Sequence, residues 1–302
     1  MPSDLGVVPW GVNRACVPRA GASSAGAMED APPLDQDLAG FARAHDPDRF
    51  LCALFAPAAR RGAIFALIAF NHELARAREA TTNPVAALIR LQWWRDAVEE
   101  AAAGKPARRH EVATPLAAAI QAGLLDPAAL LAMADAREAE AEEDGLATEP
   151  AFVAWLRGTA GGWSAAAGRA LGADTEGAEV LRALGAAYGL AGVLRSVAVH
   201  AAQGRCLLPR DRLQAAGLEP EAVIADPAAP ALRALVAEMA AEGLAALDGA
   251  RRDIPPGAIA AALPAVLAAR DLRRLAAGRP VPAPRGFGDR AAVIWAGLRA
   301  RP

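Results

Sequence analysis

Along this 302-residue chain the apolar positions recur with a helical period wherever they recur at all. Leu38, Phe41 and Ala42 share one helical face and lead into His45-Asp46-Pro47-Asp48. There Asp46 or Asp48 can cap a helix over residues 49–55, which Pro57 ends. The spacing from Arg60 to Glu79 predicts a long helix. Its first half, residues 63–70, is apolar all round and therefore central. Residues 85–103 read as an amphipathic helix with Leu88, Leu91, Trp94 and Val98 on one face. Further helices are expected over about 114–123, 127–144, 150–171, 176–201, 210–216, 228–250, 256–277 and 289–299. Short loops join them and no internal repeat is present, so one all-α domain over residues 31–278 is the simplest organisation. Residues 1–30 carry Pro, Gly, Ser and Ala without a period and read as a disordered extension, with Met28 as an alternative start. Residues 279–302 read as a proline-rich linker and a short terminal helix.

Composition narrows this picture. Alanine, leucine, arginine and glutamate dominate, aromatics make up 5% and β-branched residues are sparse, which excludes an extensive sheet. Lys+Arg 32 against Asp+Glu 34 gives a formal charge of −2 with no basic block, an argument against nucleic acid as a partner. Cys16, Cys52 and Cys206 are far apart and form no CxxC pair, which suits small buried residues in a reducing, cytoplasmic setting. Uncharged stretches such as residues 183–194 and 258–269 fall short of the ~18 residues of a membrane span.

Three segments exceed generic helix. The first runs from Asp48 to Pro57 and continues through Arg61-Gly-Ala-Ile-Phe-Ala-Leu-Ile-Ala-Phe-Asn-His-Glu-Leu-Ala-Arg-Ala-Arg-Glu79. The second is Ile89-Arg-Leu-Gln-Trp-Trp-Arg-Asp96. The third spans Leu184 to His200 and runs on to Gly204-Arg-Cys-Leu-Leu-Pro209. In this order and spacing they resemble the squalene/phytoene synthase family over about residues 37–285. The resemblance implies an isoprenoid-synthase-type helical bundle around a central apolar cavity. It also implies two aspartate-rich motifs on facing helices that hold Mg²⁺ against the substrate diphosphates. Carboxylates on one helical face can share such cations, and ionising an allylic diphosphate needs that Lewis-acid help.

The acids of those motifs are mostly missing. Aligned from Phe70, the first motif puts Asn71 and His72 at the family's Cys-Arg pair, and Ala75, Arg76 and Glu79 at its three aspartates. In the second, Arg195 is kept, but Ser196 and His200 stand at the two aspartate places. Gly204, Arg205, Leu208 and Pro209 match the trailing part. If each lost ligand is worth ~3 kcal/mol of transition-state stabilisation, one loss alone slows the reaction roughly 10²-fold. Asn71, Glu73, Leu74, Ala75, Arg78, Glu79, the run from Gln92 to Arg95, Leu194 and Arg195 together resemble a degenerate branch of the family. That branch contains a mitochondrial complex I assembly factor. The resemblance implies a non-catalytic accessory or assembly protein, a respiratory-complex subunit or assembly protein as partner, peripheral contact with the inner membrane, and an isoprenoid or lipid ligand. No cofactor is expected. The alternative is an active head-to-head prenyltransferase whose atypical Mg²⁺ site recruits Glu79, Glu73 and the acids of residues 138–144.

Candidate ligand-binding residues follow from the same positions: His72, Glu79, Tyr188, Gly189, Gly192, Arg195, His200 and Arg205. Gly185, Gly189, Gly192 and Ser196 form one stripe along a helix, suited either to close packing or to a widened cavity. His72, His200 and Glu79 could make a new metal site, and Arg195 and Arg205 could serve a phosphate or structural ion pairs. The acidic residues from Asp135 to Asp144 read as a solvated face, since like charges repel along a helix. Trp93 and Trp94 cannot share a face, so one belongs to the core and the other is a candidate surface contact.

Overall fold

Cap residues followed by proline set many of the helix starts. Asp46 accepts from the Arg49 amide at 2.9 Å, Asn83 from Val85 at 2.9 Å, and Asp126 from Ala128 at 3.1 Å. Each precedes a proline at the first helical position, where the missing N–H costs nothing. The computed structural model describes residues 34–302 apart from 82, 143–145, 251–253 and 256. The sequence expectation for residues 1–30, and Cys16 with it, lies outside the described residues.

The described helices are α1 (Leu34–His45), α2 (Pro47–Ala53), α3 (Ala58–Glu79), α4 (Pro84–Ala102), α5 (Ala113–Gln121) and α6 (Pro127–Ala136). They continue with α7 (Glu149–Gly158), α8 (Ala160–Ala170), α9 (Thr175–Arg195), α10 (Val197–Ala202), α11 (Arg210–Ala215) and α12 (Pro220–Ala225). The last are α13 (Pro230–Ala250), α14 (Ile259–Ala262), α15 (Pro264–Ala276) and α16 (Phe287–Leu298). There is no strand among the described residues.

Four predicted helices are interrupted, the one over 256–277 at Leu263 between α14 and α15. Residues 127–144 stop at Ala136 and tighten into a 3₁₀ turn over Glu138–Glu140. Residues 150–171 break at Thr159, whose hydroxyl donates to the Trp155 carbonyl at 2.7 Å. Residues 176–201 break at Ser196. α12 was not anticipated.

α3 is buried along Ala63–Phe70, as its all-round apolar sequence requires. α9 packs against α7, α8, α13 and α15. It is long and apolar enough to cross a membrane by composition, unlike the shorter uncharged stretches noted above, yet half of its apolar window is buried in this bundle. Its close approach to α8 needs glycine. A Cβ at Gly185 would lie 2.4 Å from the Ser164 hydroxyl and 2.5 Å from the Ala160 carbonyl oxygen. One at Gly189 would lie 2.8 Å from the Ala160 methyl, whereas one at Gly192 would meet nothing within 4 Å. The glycine stripe therefore does two things: it packs at its start and opens space at its end.

Residues 279–302 belong to the same compact unit as the rest of the described chain. α16 packs on α15 and α2, and the proline-rich segment before it delivers Arg285 into the interior. That segment is a structural strap rather than a free linker. Trp94 is the core member of its pair. Trp93 is half-buried, edge-on to Trp94 at 4.8 Å and beneath the Arg108 guanidinium at 5.1 Å.

Candidate functional site

Beyond Gly192 lies a cavity of about 190 Å³, at the place the two altered motifs face. α3 contributes Asn71 and Glu79, and the turn after α6 contributes Arg137 and Glu140. α7 supplies Trp155, α9 supplies Gly189 and Gly192, and His200 and Arg205 come from α10 and the loop beyond it. Arg49 of α2 reaches the same wall. The volume is below the ~300–1,000 Å³ of sites that enclose drug-sized ligands. Phe70, Trp163, Leu67 and Ile68 are fully buried in the surrounding core. The lining is compact and carries Arg49, Glu79, Arg137, Glu140 and Arg205 beside Trp155, Leu156 and Val193.

Glu140 organises it. Its side chain is 4% exposed. One carboxylate oxygen accepts from the Arg137 guanidinium at 2.7 Å and from the Trp155 indole N–H at 3.1 Å. The other accepts from Arg205 at 3.2 Å. Arg78 donates to the Glu140 backbone carbonyl at 3.2 Å, tying the end of α3 to the same turn. Reading residues 135–144 as a solvated face therefore fails at Glu140. The 3₁₀ turn rotates this one carboxylate inward, and the arginines compensate its desolvation. Residues 143 and 144 lie outside the described residues.

Glu79 stands at the cavity mouth. Burial of its carboxyl raises its pKa from the ordinary value; Arg205, Arg137 and Arg76 oppose that rise, and the Glu140 charge adds to it. His200 is held below its ordinary pKa by burial and then by Arg205, against the pull of Glu140.

The remaining predicted residues sit elsewhere. His72 faces α1: its ring lies 4.3 Å from His45 and 5.4 Å from Phe41, and its buried Nε2 has no hydrogen-bond partner. Burial, then the charges of His45 and Arg76, lower its pKa to about 4. His72 and His200 are not brought together, and among the described residues no group of three or more His, Cys, Asp or Glu side chains is placed to hold a metal ion. Arg76 is exposed and pairs with Glu73 at 3.7 Å.

Tyr188 and Arg195 belong to a second cluster. There Arg285 donates to Asp48 at 2.6 Å and forks onto Asp271 at 2.9 and 2.8 Å. The Tyr188 hydroxyl donates to Asp48 at 3.3 Å. Arg195 lies 3.9 Å from Asp48 and 3.8 Å from Asp271. Arg195 and Arg205 thus both act as ion-pair donors. Arg49 links the two clusters, with its guanidinium over the rings of Trp163 at 4.5 Å and Tyr188 at 5.0 Å. Sequence reasoning reached Glu140 only as one of the acids of residues 138–144, and did not pick out Arg49, Arg137, Asp271 or Arg285. An arginine isolated between Pro284 and Gly286 was the one visible sign of the last.

These residues do not fit Mg²⁺. The ion takes hard oxygen ligands in near-octahedral order, supplied by carboxylates and substrate phosphates. Ala75 offers a methyl group and Ser196 a neutral hydroxyl. Both Glu140 oxygens are occupied by cationic or indole donors, and three arginines line the same wall.

The chain matches the squalene/phytoene synthase family model over residues 42–290. The human protein named "NADH dehydrogenase (ubiquinone) complex I, assembly factor 6" is 27% identical over 180 residues, 59% of this chain and 54% of that one. The Bos taurus protein of the same name is 27% identical over 228 residues, 74% of this chain and 68% of that one. This chain thus spans about half the length of the human relative it matches. Among solved structures, a dehydrosqualene synthase in complex with ligand aligns with a TM-score of 0.73 at 14% identity, over 88% of this chain and 97% of that one. Squalene synthase HpnC from Alicyclobacillus acidocaldarius aligns with a TM-score of 0.69 at 19% identity, over 82% and 95%. At these identities the structural likeness establishes the fold.

Proposed function

This chain belongs to the squalene/phytoene synthase family, and we propose that it is a non-catalytic member acting as an accessory factor in the assembly of an NADH:quinone reductase-type respiratory complex. The observation that carries the loss of catalysis is the state of Glu140. The carboxylate best placed to replace a missing metal ligand is consumed by Arg137, Arg205 and Trp155. Removing those cations to admit Mg²⁺ would leave charges stranded in a half-closed cavity. The assembly role is supported by the two complex I assembly factors named above, each 27% identical to this chain over the matched residues.

In this reading the protein needs no divalent cation and works in the cytoplasm or at the inner face of the membrane. The cavity offers an isoprenoid or lipid headgroup only a small polar berth. A prenyltransferase of atypical metal site is the competing reading, because Glu79 and Glu140 do line one cavity.

Incubating the purified protein with farnesyl or geranylgeranyl diphosphate and Mg²⁺ separates the two. We expect neither a head-to-head hydrocarbon nor its cyclopropyl diphosphate intermediate, and either product overturns the non-catalytic assignment. For the assembly role, a deletion strain is expected to lose NADH:quinone reductase activity from its membranes. Undiminished activity there rejects it.

A further inference from the structure

α16 is packed on one face and bare on the other. Asp289, Val293 and Ala296 are buried, whereas Phe287 is 88% exposed, Leu298 74%, Trp295 58% and Ile294 43%. Their spacing places these four apolar side chains in one stripe along the helix, opposite the packed residues. Arg290 and Arg299 follow on the two flanks of the stripe, and Arg301 lies just beyond its end; all three are exposed. The Arg299 guanidinium sits 4.1 Å from the centre of the Trp295 ring.

The near-neutral charge of the whole chain hides an asymmetry. Residues 270–302 hold eight arginines and two aspartates. Both aspartates, Asp271 and Asp289, are buried and bound by Arg270, Arg274 and Arg285. Arg273, Arg279, Arg290, Arg299 and Arg301 are exposed, so within residues 270–302 no exposed acid offsets the cations on and beside α16's own sequence, on a protein whose net charge is −2.

We propose that α16 docks this protein onto an anionic lipid bilayer, with Phe287, Ile294, Trp295 and Leu298 entering the boundary between headgroups and acyl chains and Arg290, Arg299 and Arg301 meeting lipid phosphates. A helix lying in the interface needs this combination: bulky apolar groups on one stripe and cations at its edges, where their stems lie along the apolar surface while their heads reach the phosphates. A second copy is the poorer occupant. Two-fold pairing through this face would set the arginines of one protomer against those of the other. The inference rests on the bare face and its charge, and stands apart from the assembly role.

The test is flotation of the full chain with vesicles of phosphatidylcholine alone and of phosphatidylcholine mixed with phosphatidylglycerol. Binding is expected to the mixed vesicles and to weaken with added salt. An arginine near an anionic surface is worth roughly five-fold in partitioning, so Arg299→Glu with Arg301→Glu should weaken binding more than ~10-fold. Phe287→Ser with Leu298→Ser should abolish it. These side chains are solvent-exposed, so both double variants should keep the wild-type circular dichroism spectrum and thermal midpoint. The proposal is overturned by no binding to mixed vesicles, by equal binding to neutral ones, or by wild-type binding of the Phe287/Leu298 variant. It is also overturned by a concentration-dependent dimer that the same substitutions dissolve in the absence of lipid. An unaffected reductase in a deletion strain would reject the assembly role and leave this result standing.

Discussion

Arg285 meets Asp271 as a two-pronged pair, its terminal nitrogens 2.9 and 2.8 Å from the two carboxylate oxygens, although 14 residues and a proline-rich segment separate them. The third nitrogen, Nε, reaches Asp48 at 2.6 Å. One guanidinium therefore fastens the C-terminal strap to α15 and to the start of α2.

Breaking this pair exposes the cost of a stranded charge. Asp271 is 1% exposed, so Arg285→Ala leaves a buried carboxylate with only the longer contacts from Arg195 and Arg274. We expect a loss of about 3–5 kcal/mol in urea unfolding. Arg285→Lys should recover part of it, since a point charge cannot match two oxygens in one plane. Loss of less than ~1 kcal/mol for the alanine variant would show that the strap is held by something else.

Glu140 makes the same argument in the cavity. Glu140→Ala removes the shared partner of Arg137 and Arg205 and the acceptor of the Trp155 indole, with an expected cost of about 3 kcal/mol. Glu140→Gln keeps an acceptor for Trp155 and should lose less. Chemical denaturation of the two variants side by side reads the difference. Equal losses would mean that the charge, which both variants remove, and not the side chain's shape or its neutral acceptor, holds the turn.

How far the sequence disclosed these features follows from their physics. Periodicity is a property of a continuous helix, so α3 and α4 were legible to within two residues at each end. Ser196 breaks a helix with no proline or glycine beside it, and nothing in the pattern distinguishes it from helix interior, whereas Thr159 lies between Gly158 and the Gly161-Gly162 pair, a signal that the apolar period alone does not carry. Glu140 looks like its acidic neighbours, because its inward turn depends on Arg205, 65 residues away. The altered motif positions were readable by resemblance, and Glu79, Gly189, Gly192, His200 and Arg205 do line one cavity. The placement of His72 against α1, and of Tyr188 and Arg195 beside Arg285, depends on which way each helix faces. One-dimensional spacing does not carry that information.

The glycine stripe offers an internal control. Gly185→Ala would drive a methyl into the Ala160 carbonyl oxygen, which is backbone and cannot swing aside. Overpacking of this kind costs about 1–3 kcal/mol. Gly192→Ala meets open space and gains helix propensity, so it should be neutral or stabilising by up to ~1 kcal/mol while shrinking the cavity. Thermal unfolding of both variants tests the assignment. A destabilised Gly192→Ala would mean that the cavity is narrower than the glycine geometry indicates.

His72 should give the protein an acid-sensitive term. Its pKa is about 4 in the folded chain against 6.5 for an unperturbed histidine, because the ring is partly buried beside His45 and Arg76. Between these values the unfolded chain binds a proton that the folded ring refuses. The stabilisation is therefore complete above pH 6.5 and is lost as the pH falls toward 4. The full shift corresponds to ~3 kcal/mol, which solvent screening of the half-buried ring reduces to about 1–2 kcal/mol. His200, also lowered, adds in the same direction. Glu79, raised by burial, opposes both and begins to act above its ordinary carboxylate value. His72→Phe isolates the first contribution: it cannot titrate, and its ring can still pack against Phe41. Urea unfolding of the wild type and this variant, at intervals from pH 4 to 7, should give stability curves whose separation changes by that amount, the variant being relatively favoured at the acid end. Parallel curves would remove His72 from the account.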